Sequence, residues 1–209
     1  MTARTPVAPY LPFARPSIDE ESIAGVAQVL RSGWLASGPN VLKFEQALSD
    51  YHGGRTARVV TSATAALELA LQVAGVGPGA EVITSAMSFF AAPNMIVKVG
   101  ARPVFVDCDL ITRNIDFDQV EASVTPRTRA IMPTHFAGLP VDIERLYAIA
   151  RKHGLRVIED AALAIGSRWR GQRIGAFGDL VVLSFHPNKN MTTIEGGALL
   201  MSDAAEVKL

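Results

Sequence analysis

Four segments of this chain carry residue types that could act together on a carbonyl compound, and each follows a short apolar run. Lys189 lies in Ser184-Phe185-His186-Pro187-Asn188-Lys189, just past Leu180–Leu183. A lysine at the carboxyl end of a sheet strand stands where open α/β sheets bind ligands. There its amine can form a Schiff base if its surroundings lower its pKa. A solvated surface charge is the plainer reading of a loop lysine taken alone. Asp160, in Glu159-Asp160-Ala161-Ala162, follows Arg156–Ile158. Its carboxylate can keep a pyridine ring nitrogen protonated, which makes the ring an electron sink, or it can simply cap a loop.

Thr61-Ser62-Ala63-Thr64 joins a strand-like run to a helix-like one. Small residues there let backbone N–H groups approach an anion at the helix N-terminus, with hydroxyls as further donors. The alternative is an ordinary N-cap by Ser62 or Thr64. Phe89, in Ser88-Phe89-Phe90, can stack on a planar ring or serve as core. His135 and His186 also follow strand-like runs, where each reads equally as a ligand contact or a hydrogen-bonded structural histidine. An anion site, a stacking ring, a carboxylate for a ring nitrogen and a lysine for an aldehyde together describe a pyridoxal phosphate (PLP) site. No plain reading explains all four.

The elements that must position these residues alternate. Ser17 is the expected N-cap of a helix with Ile23, Val26, Ala27 and Leu30 as its apolar face and Gly33 at its end. A second amphipathic helix spans Val41 to His52. Strands are expected at 57–61, 81–84, 103–106, 130–133, 156–158, 180–184 and 197–202, and helices at 64–73, 92–99, 117–124 and 143–153. A further helix start is expected at Ala204. The pattern predicts a mostly parallel sheet with helices on both faces, and right-handed crossovers that bring the loops after the strands to one edge. Residues 1–17 hold several prolines and little periodicity and read as an arm; 18–209 read as one domain.

Composition fits this reading. The 209 residues are 49% apolar and 19% charged, with 20 basic and 20 acidic side chains. That is a globular chain with no basic excess for nucleic acid and no basic amphipathic helix for a membrane surface. Cys108 is the only cysteine, so no intrachain disulfide can form, as suits the reducing cytoplasm. No apolar run is long enough to cross a bilayer.

From Arg15-Pro16 to its end the sequence resembles the DegT/DnrJ/EryC1/StrS sugar aminotransferases, which have the aspartate aminotransferase fold type I. The resemblance runs through Gly33-Trp34-Leu35, Gly38-Pro39, Phe44-Glu45, Thr64-Ala65-Ala66-Leu67, Gly100-Ala101-Arg102-Pro103-Val104-Phe105-Val106-Asp107 and Asn114-Ile115-Asp116. It closes with Glu159-Asp160-Ala161-Ala162, Gly175-Ala176-Phe177-Gly178-Asp179 and the Ser-Phe-His-Pro-x-Lys segment. It implies a three-layer α/β/α large domain whose seven-stranded sheet is mostly parallel with one antiparallel strand. It implies PLP as cofactor, Lys189 as the Schiff-base lysine and proton shuttle, Asp160 on the ring nitrogen and Phe89 stacked on the ring. Ser62, Ala63 and Thr64 would hold the phosphate, with the Ser184 hydroxyl added. The reaction implied is transfer of an amino group from glutamate or glutamine to a keto group of a nucleotide-linked sugar, in a homodimer. Relatives that act as dehydratases carry histidine for the lysine, so Lys189 implies transamination.

The chain departs from the family pattern at three places. Leu163 stands where histidine or glutamine is usual and offers no donor or acceptor to the cofactor. Ile194 stands where a small residue is common and would resist a positive φ. Family members also continue into a small C-terminal domain, so the expectation here is the large domain without it. A truncated remnant or partner-dependent PLP-binding module is the alternative. A dinucleotide-dependent oxidoreductase lacks its Gly-x-Gly-x-x-Gly turn after the first strand.

Overall fold

The computed structural model describes residues 10–12, 14–202 and 206. Most of the expected arm (1–9 and 13) and the expected helix start at Ala204 lie outside the described residues. Helix α1 spans Glu20–Ser32 and α2 spans Pro39–Tyr51. Strand β1 (Thr56–Val60) and helix α3 (Ala63–Val73) follow, then β2 (Glu81–Ser85) and α4 (Ala91–Lys98). Next come β3 (Arg102–Val106), α5 (Phe117–Ala122), β4 (Thr128–Met132), α6 (Ile143–His153) and β5 (Arg156–Asp160). A hairpin of β6 (Arg168–Trp169) and β7 (Gln172–Arg173) precedes β8 (Leu180–Ser184) and β9 (Gly197–Met201).

Seven strands form one sheet in the order β1-β9-β8-β5-β4-β2-β3. Strands β8, β5, β4, β2 and β3 are mutually parallel, and β1 shares their direction because both β1 and β8 pair antiparallel with β9. Among the described strands of this sheet β9 is therefore the one reversed, and the carboxyl ends of the other six share one edge. The central strands read as apolar runs because both faces are covered. Val157, Val181, Leu183, Ala198 and Leu200 point into a core beneath α2, α5 and α6. Their neighbours Ile158, Val182, Leu199 and Met201 point into a second core beneath α3 and α4. This is the three-layer arrangement that the alternation predicts.

The structure corrects one expectation, the cap of α1, and adds two features. Asp19, not Ser17, caps α1: its Oδ1 accepts the Ser22 N–H at 2.8 Å. A carboxylate at this position also complements the positive end of the helix dipole. The apolar face of α1 is not buried: Ile23, Val26 and Leu30 are all exposed. Strands β6 and β7, two residues each, have no counterpart in the sequence reading, because they are too short to show a period. Their turn is Arg170-Gly171, with both residues at positive φ, as a two-residue hairpin requires.

Candidate active site

The site is built at the shared carboxyl edge. Segment Ser62–Thr64 follows β1, Lys189 follows β8, Asp160 ends β5, His135 follows β4 and Phe89 follows β2. The first three belong to segments within four places of one another in the sheet, separated by β9.

Ser62 is the N-cap of α3, and its Oγ accepts the Ala65 N–H at 3.1 Å. The capping reading of this hydroxyl therefore holds. The N–H groups of Ala63 and Thr64 are the first two of the helix and find no acceptor among the described residues. Unpaired N–H groups at a helix start are a ready anion site. Ser184 is buried and pairs in register with Gly197, which pairs with Val60 on its other side. The hydroxyl of Ser184 thus lies at the edge that leads into the Ser62 turn.

Lys189 is half-buried in a turn in which its N–H donates to the His186 carbonyl at 2.9 Å. The loop beyond it is tied to Phe185, which is wholly buried. Thr192 Oγ1 and the Thr193 N–H both donate to the Phe185 carbonyl, at 2.9 and 3.1 Å. Ile194 follows with φ 72 and a largely exposed side chain. The strained conformation that its sequence position warned of is present.

Asp160 is almost wholly buried, and among the described residues one hydrogen bond of good geometry reaches its side chain, from the Ala162 N–H to Oδ1 at 3.1 Å. Burial pushes its carboxyl above the usual aspartate range. The Ala162 N–H, the Lys189 ammonium and Thr134 pull the other way. Lys189 and Asp160 are therefore within electrostatic reach. Thr134 Oγ1 is buried with no partner of acceptable geometry among the described residues, although it faces Asp160 closely enough to favour the ionised form. A buried carboxylate with a spare oxygen, an orphaned hydroxyl beside it, two free N–H groups at a helix start and a nearby amine make a donor and acceptor set that fits PLP. A protonated ring nitrogen would give Asp160 a charged partner.

Phe89 lies at the same edge but is 60% exposed, its ring 4.2 Å from that of Phe90. His135 takes the structural option, hydrogen-bonded on both ring nitrogens and fully buried. His186 is exposed, with Nδ1 2.7 Å from Asn188 Oδ1. Leu163 is partly buried and brings no polar atom on its side chain. Sequence reasoning assigns no role to Glu159, Thr134, Tyr147 or Gly197. Only the adjacency of Glu159 to Asp160 was a usable signal.

The fold and this edge define the large domain of a PLP-dependent transferase of fold type I. Residues 16–209 match the DegT/DnrJ/EryC1/StrS aminotransferase family, and the chain belongs to that family, whose members are PLP-dependent. It is 46% identical over 194 residues to the spore coat polysaccharide biosynthesis protein SpsC of Bacillus subtilis (strain 168), covering 93% of this chain and 50% of that protein. Among solved structures it superposes on the PLP form of Spr1654 from Streptococcus pneumoniae with a TM-score of 0.89 and 37% identity, covering 94% of this chain and 54% of that one. That protein is also solved in its PMP form. Helicobacter pylori PseC, an aminotransferase of pseudoaminic acid biosynthesis, gives a TM-score of 0.87 and 34% identity over 94% of this chain and 53% of that one. The chain thus spans about half the length of the relatives it matches. Among the described residues no helix is long and apolar enough to cross a membrane.

Proposed function

We propose that this chain is the cofactor-binding part of a cytoplasmic, homodimeric sugar aminotransferase that moves an amino group from glutamate or glutamine to a keto group of a nucleotide-linked sugar. The observation that carries the reading is the buried Asp160 carboxylate, which takes one hydrogen bond of good geometry among the described residues and ends β5 at the same sheet edge as Lys189. Family membership and the likeness to SpsC, Spr1654 and PseC support it.

PLP, when bound, supplies an electron sink for the pair of electrons left when the donor's Cα loses its proton. The protein's residues do the rest. Lys189 would hold the cofactor at its aldehyde carbon through its amine, and that amine would move the proton between Cα and C4′. Asp160 holds the proton on the ring nitrogen. The N–H groups of Ala63 and Thr64 bind the phosphate at the start of α3, with Ser62 shaping the turn and Ser184 adding its hydroxyl. Phe89 orients the ring by stacking.

Adding glutamate to the PLP-loaded chain should convert the cofactor to its pyridoxamine form, and Lys189→Ala should abolish that conversion without unfolding the protein. Conversion by the variant at the wild-type rate would contradict the role of Lys189. Leu163 favours a second reading, a PLP-binding module without turnover of its own. Retention of PLP with no conversion by any amino donor would support it.

A further inference from the structure

Two buried carboxylates stand side by side at the end of β5, and the proposed chemistry uses only Asp160. Glu159 is wholly buried, and each of its oxygens accepts one hydrogen bond. The Tyr147 hydroxyl donates to Oε1 at 2.7 Å. The His135 ring, also wholly buried, meets Oε2 at 2.9 Å. The Val141 N–H donates to His135 Nδ1 at 3.1 Å. Nδ1 is therefore an acceptor, and the proton of the neutral ring sits on Nε2, aimed at Glu159. The main chain of His135 is tied to the other carboxylate's residue. Its N–H donates to the Asp160 carbonyl at 3.0 Å, and the Asp160 N–H donates to the Pro133 carbonyl at 2.9 Å. His135 thus holds Glu159 by its ring and Asp160 by its backbone.

The geometry points to His135, acting with Glu159, as a positioning residue that sets the direction from which the Asp160 carboxylate meets the cofactor's ring nitrogen; this rests on the PLP site proposed above. Successive side chains of a strand leave opposite faces, so a turn of the strand end that moves Glu159 also swings Asp160. Loss of the imidazole strands the Val141 N–H and one Glu159 oxygen in the interior, and buried groups without partners drive rearrangement. Glu159 cannot retreat toward Gly178. Even a Cβ there would stand 2.4 Å from Glu159 Oε1 and 2.5 Å from the Tyr147 hydroxyl. Relief must come through the β5 end, where Asp160 sits.

The test compares dissociation constants, by absorbance titration, for PLP and for its 1-deaza analogue, in which a CH replaces the ring nitrogen. A hydrogen bond to a charged group should make the wild-type chain prefer PLP by about tenfold or more. His135→Asn keeps an acceptor for Val141 and loses the donor to Glu159. It should cut the preference to about threefold or less. His135→Gln places an amide N–H near the position of Nε2 and should restore most of it. A purely structural role lowers both affinities alike and leaves their ratio intact, so an unchanged ratio in folded His135→Asn would overturn the inference alone. If that variant does not fold, Glu159→Gln, which weakens the same contact, should show the same loss, and an unchanged ratio there counts equally against it. No preference in the wild-type chain would contradict the assignment of Asp160 and this inference with it.

Discussion

Gly197 presses against the turn that begins α3, so that a Cβ on it would stand 2.4 Å from Ala63 N. The first residue of β9 thus forms the floor of the anion site, in register between Val60 and Ser184. Gly197→Ala should lift the Ser62–Ala63 peptide, with a loss of about 1–3 kcal/mol of stability, as overpacking in a filled interior costs. Phosphate-bearing ligands should bind at least about tenfold more weakly, since the helix-start N–H groups would no longer converge. Melting curves and titration with PLP check both effects.

Asp160 sets function against stability. Its carboxyl is pushed up by burial, so the fold favours the protonated form. The stability linked to this group is full below the unfolded aspartate value near 3.8 and is lost as pH rises through the higher folded value. At neutral pH, above the unfolded value, the raised carboxyl is therefore a net burden on the cofactor-free chain. Asp160→Asn should raise the melting temperature of that chain at pH 7, with the gain vanishing near pH 3. The same variant should weaken PLP binding by about tenfold or more, because the charged partner of the ring nitrogen is gone. A melting temperature that falls at pH 7 would contradict the electrostatic part of this account.

Ile194 occupies the left-handed region at φ 72 with a side chain that is 63% exposed. A β-branched residue there carries a backbone penalty that glycine escapes, and little burial is lost by removing it. Ile194→Gly should stabilise the chain by about 1 kcal/mol, measured by urea denaturation. The gain should appear with an unchanged denaturant slope.

Glu81 opens β2 at the edge of the sheet opposite the candidate site. The Thr125 hydroxyl donates to it at 2.6 Å, and Arg102 and Arg127 each approach Oε1 at 2.7 Å. Together they hold its carboxyl down at about 2. A lowered carboxylate contributes its stability above the unfolded value near 4.5 and loses it as pH falls toward 2. Glu81→Gln should therefore lower the melting temperature at pH 7 and match the wild type near pH 2. A difference that persists at pH 2 would point to packing instead.

The sequence made the sheet legible because its central strands are buried on both faces and so stand out as apolar runs such as Leu180–Leu183. It made Asp160 and Lys189 legible because each sits just past such a run, and the parallel order brings those ends to one edge. Contacts that join distant residues were not legible. The pairing of His135 with Glu159 spans 24 positions, and the approach of Gly197 to Ala63 depends on the reversed strand between β1 and β8. Periodicity identified the apolar face of α1 correctly as a pattern but not its surroundings: Ile23, Val26 and Leu30 are exposed among the described residues. The cap of α1 moved from Ser17 to Asp19 because either side chain can accept an N–H, and only backbone geometry decides.

The central claim is that Lys189 is the residue that takes the cofactor's aldehyde. It is tested most directly by adding PLP to the purified chain, reducing with borohydride and mapping the modified lysine by mass spectrometry. The account predicts a visible absorbance band before reduction and a single stable adduct on Lys189 after it. A folded chain with no adduct, or with the adduct on another lysine, would contradict it.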